Sequence, residues 1–249
     1  MDFCVLTIFP EMLETFAASG IIGRAVESGR ISITPVNIRD YAQGRHKVTD
    51  DRPYGGGSGM IMKPEPLAAA IREAKKRRPN ASTVLLSPQG RRFDQHTAWQ
   101  YAECEDLIFV CGRYEGIDER ICETLIDDEV SIGDYVLTGG ELAAMVIIDA
   151  VTRYIPGALG AKDAAEFDSF SGSRLEHAHY TRPRDFEGME VPEVLLSGNH
   201  REIENWRSES ALMHTLLKRP DLLEKTGLTD REKQIVKKWC RYLESLVWE

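Results

Sequence analysis

Three stretches of the 249-residue chain place glycine and polar residues directly after an apolar run. They are Ser87-Pro88-Gln89-Gly90 after Val84-Leu85-Leu86, Gly112-Arg113-Tyr114-Glu115-Gly116 after Phe109-Val110-Cys111, and Thr138-Gly139-Gly140 after the run from Ser131 to Leu137. Glycine admits positive φ and lets a ligand approach the backbone closely, so such loops can present bare N–H and C=O groups to a planar heterocycle. One such loop is an ordinary turn; three at the ends of successive strands make a site. No G-x-G-x-x-G follows a strand and no G-x-x-x-x-G-K-[ST] occurs, which removes dinucleotide and P-loop phosphate binding. Neither a Ser-His-Asp elbow nor a metal triad is visible. The remaining class is a nucleoside-like ligand held by main chain.

Four further side chains have chemistry to offer, and each has a plain alternative. Arg153 lies near the end of a long apolar segment, where a cation complements a helix dipole. Asp168 is followed by Ser169, as in a turn or an N-cap. His177 and His179 have the chemistry of general bases, but loop histidines are commonly surface residues.

Elements must position these residues. Phe3 to Phe9 reads as a strand closed by Pro10, with helical spacing from Glu11, and Ile31 to Ile38 as a second strand. Arg39 to Gly59 has little period and ends in the Gly-rich run Tyr54 to Gly59, which for a loop of that length means function or disorder. Beyond Pro64 follow a helix, a strand Thr83 to Leu86, a helix near Asp94 to Glu103, a strand Leu107 to Val110 and a helix Ile117 to Leu125. This alternation predicts an α/β layer structure on a parallel sheet, with ligands outside the carboxyl ends of the strands. Thr138 to Glu141 has the S/T-x-x-E spacing of a capping box and opens a helix through Val151. That helix is apolar nearly all round except at Asp149, so it must be buried on several sides, a second subunit included. Pro156 to Arg184 reads as a mobile linker. Asn199 to Lys218 and Thr229 to Val247 read as amphipathic helices, the latter again with a capping box, Thr229 to Glu232.

Bulk properties narrow the class. The net charge of −9 argues against non-specific nucleic-acid binding, yet a local patch can dock a folded RNA, and the tail offers Lys218, Arg219, Lys225, Arg231, Lys233, Lys237, Lys238 and Arg241. With Glu224, Asp230, Glu232 and Glu244 among them, composition alone favours solvated helix faces. Five dispersed cysteines indicate neither disulfides nor zinc. No stretch is long enough for a membrane span and no leader precedes the first strand, so a cytoplasmic protein is expected.

Ser87 to Gly90, Cys111 to Arg120 (C-G-R-Y-E-G-I-D-E-R), Ser131 to Leu142 (S-I-G-D-Y-V-L-T-G-G-E-L), Asp168-Ser169-Phe170 and His179 to Pro183 (H-Y-T-R-P) resemble the signatures of the bacterial TrmD family, the tRNA (guanine-N1)-methyltransferases of the SPOUT superfamily. The likeness runs from the first strand into the tail with order and approximate spacing kept. It implies a SPOUT-type parallel sheet with a deep trefoil knot at residues 1–160, a flexible linker at 161–178, and a small helical C-terminal domain contacting tRNA at 179–249. The knot runs against the usual absence of threading; periodicity alone gives a doubly wound sheet.

The resemblance further implies a homodimer with active sites between subunits and S-adenosylmethionine as methyl donor. The cofactor would be held by Leu86, Ser87, Pro88, Gly90, Gly112, Tyr114, Glu115, Ile132, Gly133, Asp134, Tyr135, Val136, Leu137, Gly139 and Gly140. It raises magnesium as a companion, without a ligand cluster to place it. It makes Asp168 the base that removes the guanine N1 proton and Arg153 the cation that stabilises charge at O6, the target being the guanosine 3' of the anticodon, position 37. His177 and His179 are left a minor role in RNA contact. Three positions depart from the family pattern: Ser58 and Ala143 replace its common proline, and Phe167 a polar or acidic residue. Two rival readings are a SPOUT methyltransferase acting on another RNA atom, such as a ribose 2'-hydroxyl, and a non-catalytic module that binds an adenine nucleoside.

Overall fold

The strands of the N-terminal half send alternate side chains into two cores. In chain order this half runs β1 (Asp2–Thr7), α1 (Pro10–Ala17), α2 (Gly20–Glu27), β2 (Ser32–Asn37), a 3-10 turn (Ile38–Tyr41), β3 (Asp50–Asp51), β4 (Ile61–Met62), α3 (Pro64–Arg77), β5 (Ser82–Arg92), α4 (Gln95–Ala102), β6 (Asp106–Cys111), α5 (Glu119–Leu125), β7 (Asp128–Ser131) and α6 (Glu141–Thr152). Phe3 and Val5 of β1, Leu107 and Phe109 of β6, and Val84 and Leu86 of β5 pack with α1, α2, α4 and α6. Cys4, Leu6, Ile108, Val110 and Leu85 point the other way, onto α3 and α5. Because helices cover both faces, the strands read as continuous apolar runs rather than alternating ones.

The computed structural model describes residues 1–159, 168–172 and 174–247. The chain divides into two units, Met1–Lys162 and Asp163–Glu249. In the first, five strands are ordered β2-β1-β6-β5-β7, and every neighbouring pair is parallel. The expected α/β class and parallel sheet are therefore present. Strands β6, β5 and β7 are neighbours, which brings the loops after their apolar segments side by side.

Local expectations were met unevenly. Asp94 and Asp118 cap α4 and α5 through their side chains. Arg39 to Gly59 is not featureless: it contains most of the 3-10 turn, and β3 pairs with β4. The capping box expected at Thr138 to Glu141 does not form. Gly140 is the N-cap of α6 without a side-chain cap, since Glu141 is drawn to other partners. Leu142 and Val146, on the helix expected to be buried on several sides with a second subunit included, are each 48% exposed in the single chain.

In the second unit, the hairpin β8 (Asp185–Phe186) and β9 (Met189–Glu190) precedes α7 (His200–Lys218), α8 (Pro220–Thr226) and α9 (Asp230–Val247). Here the capping box is real: the Thr229 amide donates to Glu232 Oε2 at 2.7 Å, and the Glu232 amide donates to Thr229 Oγ1 at 3.3 Å. The end of the stretch read as linker is laced onto α7, with the Leu175 amide donating to Thr215 Oγ1 and the Ala178 amide to Ser210 Oγ, both at 3.0 Å.

Candidate functional site

The first of the three loops is a detour from a strand. Leu86 and Arg91 of β5 both pair with Val130 of β7, so residues 87–90 leave the ladder between them. The Gln89 amide donates to Ser87 Oγ at 3.1 Å and holds the turn. Gly90 brings the chain back so tightly that a Cβ there would overlap the Glu129–Val130 backbone.

The second loop follows β6 and turns through Tyr114, a non-glycine residue at φ 61°. Such a conformation costs on the order of 1 kcal/mol and is held by its surroundings. The Glu115 amide donates to Met60 O, and the Met62 amide to Gly116 O, both at 3.0 Å. These bonds stitch the segment after the Gly-rich run onto the loop.

The third loop spans residues 132–140. The Gly140 amide donates to Gly112 O at 2.9 Å, and Arg113 and Gly139 form a β-bridge. A Cβ on Gly140 would lie 2.8 Å from Cys111 Cα, so glycine is required for the two loops to touch.

A buried charge cluster locks these loops to β1. Arg113 Nε donates to Glu141 Oε2 at 2.9 Å, while the Thr7 hydroxyl donates to Glu141 Oε1 at 2.7 Å. The Glu141 side chain is 1% exposed. Arg113 also lies over the Phe9 ring, 4.4 Å from its centroid. A buried carboxylate needs such partners, which is why Glu141 does not reach back to Thr138. Thr7 and Arg113 were not singled out by sequence reasoning, and Glu141 was read only as a helix cap. The visible signal was the opposite charge of Arg113 and Glu141 in two loops already expected to meet.

Together the loops enclose a cleft of about 320 Å³. All the residues named for cofactor binding line it except Gly90 and Asp134. Gly90 is engaged in close strand packing, and Asp134 is exposed at the loop tip. Further lining comes from Gln89, Arg113, Ile117, Glu119, Glu129, Thr138 and Ala143. No histidine, cysteine or lysine lines the cleft among the described residues. Burial pushes the nearby Cys111 thiol well up, with the Glu141 carboxylate adding and Arg113 opposing. Cys4 is likewise pushed up to about 11, chiefly by burial. These thiols stay protonated and unsuited to nucleophilic chemistry. The cleft is built to bind by main chain.

The two residues named for chemistry come from other segments of the chain. Half-buried Arg153 is the C-cap of α6, about 20 Å along the helix from Gly140 at its other end. Asp168 belongs to the second unit. Its carbonyl accepts from the Ser171 hydroxyl at 2.6 Å, and the Phe170 amide closes the same turn by donating to Arg174 O at 2.7 Å. Phe167 lies outside the described residues. In the tail, Arg219, Lys233 and Lys238 pair with Asp221, Asp230 and Glu209, the mixed-charge pattern of solvated helix faces.

The profile of the tRNA (guanine-1)-methyltransferase family TrmD matches residues 1–225. A curated relative from Desulfatibacillum aliphaticivorans named tRNA (guanine-N(1)-)-methyltransferase is 57% identical over 247 residues, covering 99% of this chain and 94% of the relative. Relatives of the same name from Syntrophotalea carbinolica and Geobacter sulfurreducens are 54% and 57% identical, covering 98% and 94% of this chain and 99% and 95% of their own lengths.

Proposed function

The chain belongs to the tRNA (guanine-1)-methyltransferase family, and on that premise we propose that it methylates N1 of the guanosine immediately 3' of the anticodon, position 37, in tRNA. The observation that carries the reading is the cleft of three glycine loops on neighbouring parallel strands, fixed by the Arg113–Glu141–Thr7 cluster. The shared name of the relatives specifies guanine N1, which leaves the ribose-hydroxyl and non-catalytic readings without comparable support.

The residues present fit S-adenosylmethionine. Leu86, Ile117, Ile132 and Leu137 offer apolar walls for a purine, the glycines expose backbone donors and acceptors, and Glu115, Glu119 and Glu129 bring negative charge to a ligand with a cationic sulfur. When bound, S-adenosylmethionine supplies an activated methyl on sulfonium. Neutral guanine carries a proton on N1, and the Asp168 carboxylate takes it as N1 becomes nucleophilic. Charge then moves towards O6, where the Arg153 guanidinium donates to it.

A homodimer completes this arrangement. Arg153 lies about 20 Å from the cleft end of its own helix, and Leu142 and Val146 expose apolar surface on that helix; both observations favour a second copy that covers α6 and supplies Arg153 to its neighbour's cleft. The SPOUT assignment carries the trefoil knot with it, and we place the protein in the cytoplasm with its tRNA. No helix among the described residues is long and apolar enough to cross a membrane. Magnesium favours carboxylate oxygen, but Glu115, Glu119 and Glu129 form no assembled cluster among the described residues, so no magnesium site is assigned.

The test is methyl transfer from labelled S-adenosylmethionine to unmodified tRNA transcripts with guanosine 3' of the anticodon, beside transcripts changed there. N1-methylguanosine only in the former is expected. Label in neither, or in both, would overturn the assignment. Asp168→Ala should cut the rate at least 100-fold while leaving S-adenosylmethionine affinity within about twofold; a near-wild-type rate would remove Asp168 as the base.

A further inference from the structure

Glu176, His177 and His179 follow the Asp168 turn within the second unit, on the segment laced to α7. One ligand atom from each lies within 4.8 Å of the other two. The histidine rings are 4.5 Å apart between centroids, and His179 Nε2 is 2.9 Å from Glu176 Oε1. The convergence is supported from outside. His177 Nδ1 lies 2.9 Å from the Ala178 carbonyl; a carbonyl only accepts, so Nδ1 carries the hydrogen, and Nε2 is the nitrogen that a neutral ring offers for a ligand role. The backbone at Glu176 is held twice, its carbonyl 3.2 Å from His214 Nδ1 and its amide donating to Ser169 Oγ at 3.0 Å. Trp206 stands edge-on to His177 at 6.2 Å and walls one side, while exposed His179 leaves an entry path.

We propose that Glu176, His177 and His179 form a three-ligand site for a divalent transition metal, zinc being the best fit, with water completing the shell. Two imidazoles and one carboxylate are a common donor set for zinc with an open position, and imidazole selects zinc, cobalt or nickel over magnesium. Zinc–ligand bonds of about 2.0 to 2.2 Å put tetrahedral donor atoms roughly 3.4 Å apart, so the widest separation must close by roughly an ångström while the His179–Glu176 contact opens slightly. Binding exchanges the His179–Glu176 contact for two metal bonds and releases any proton held there. The usual C-x-x-C or H-x-x-x-H spacings are missing because the ligands are adjacent residues on a non-helical segment, so the sequence showed no zinc pattern.

The test uses the full-length, metal-stripped protein and does not depend on its activity. Cobalt titration followed by visible absorption should give saturable ligand-field bands at one equivalent. Zinc should displace the bands and raise the melting temperature; millimolar magnesium should do neither. His177→Ala and His179→Ala should each weaken binding at least tenfold without changing the melting temperature of the metal-free protein, and His177→Gln should behave like His177→Ala. Absence of saturable bands, their persistence in the double histidine variant, or a near-ultraviolet thiolate-to-cobalt band placing the ion on cysteine would overturn the proposal.

Discussion

Two identical spacings, Thr138 to Glu141 and Thr229 to Glu232, end in opposite ways. Glu232 caps its helix, whereas Glu141 is pulled away by Thr7 and Arg113, 134 and 28 residues distant. A local pattern records what a side chain can do nearby; it carries no trace of a buried partner so far along the chain. Thus the capping box at α9 was legible and the cluster at the cleft was not. Arg113→Ala leaves the Glu141 carboxylate buried without its cation and should cost about 3 to 5 kcal/mol in urea unfolding, with loss of S-adenosylmethionine binding. At α9, Arg174 donates to both Glu232 oxygens, at 2.8 and 3.1 Å. Its guanidinium, together with Thr229, holds the Glu232 carboxyl at about 2, against an ordinary 4.5. A depressed carboxylate contributes stability that is complete above the unfolded value and is lost as pH falls through the folded one. Arg174→Gln should therefore lower stability at pH 7 by on the order of 2 kcal/mol, and the gap from wild type should narrow between about pH 4.5 and 2, leaving the part that comes from the Arg174 bonds to Thr226 and Gly227.

At the scale of elements, the sheet was legible because its strands are buried on both faces and stand out as apolar runs. Strand order was not, since nothing in the runs from Asp2 or Asp106 says that β1 and β6 lie side by side. The meeting of the three loops followed from their common position after strands, but the use of Gly90 did not. It was expected as a ligand-binding glycine, and the structure adds a packing task, letting β5 rejoin β7 after the detour. Gly90→Ala should accordingly cost at least about 2 kcal/mol and weaken S-adenosylmethionine binding by deforming residues 87–89. Differential scanning fluorimetry and calorimetric titration would check both, and a stable variant with unaltered affinity would contradict the packing role.

For the whole molecule, the consequence turns on which copy supplies which residue. The proposed homodimer predicts that Leu142→Asp combined with Val146→Asp gives a monomer in sedimentation and abolishes methyl transfer while S-adenosylmethionine binding falls less; a wild-type chain that sediments as a monomer would overturn it. A variant with its cleft filled, Leu137→Trp, and Arg153→Ala should each be inactive as pure homodimers. Mixed by co-expression, they should regain partial activity if cleft and arginine belong to different copies; if they act within one copy, no activity returns. The apolar character of α6 raised the expectation of a covering partner from sequence. The distance from Gly140 to Arg153 required the folded helix. One further consequence lies in the wall of the cleft, where loops are joined amide to carbonyl, Gly140 to Gly112 and Glu115 to Met60. An inhibitor gripping that main chain offers few side chains for substitution to alter, and Gly140, whose Cβ would meet Cys111 Cα at 2.8 Å, cannot grow without parting the loops. Escape from such a compound should come through raised expression or efflux more readily than through substitution in the loops.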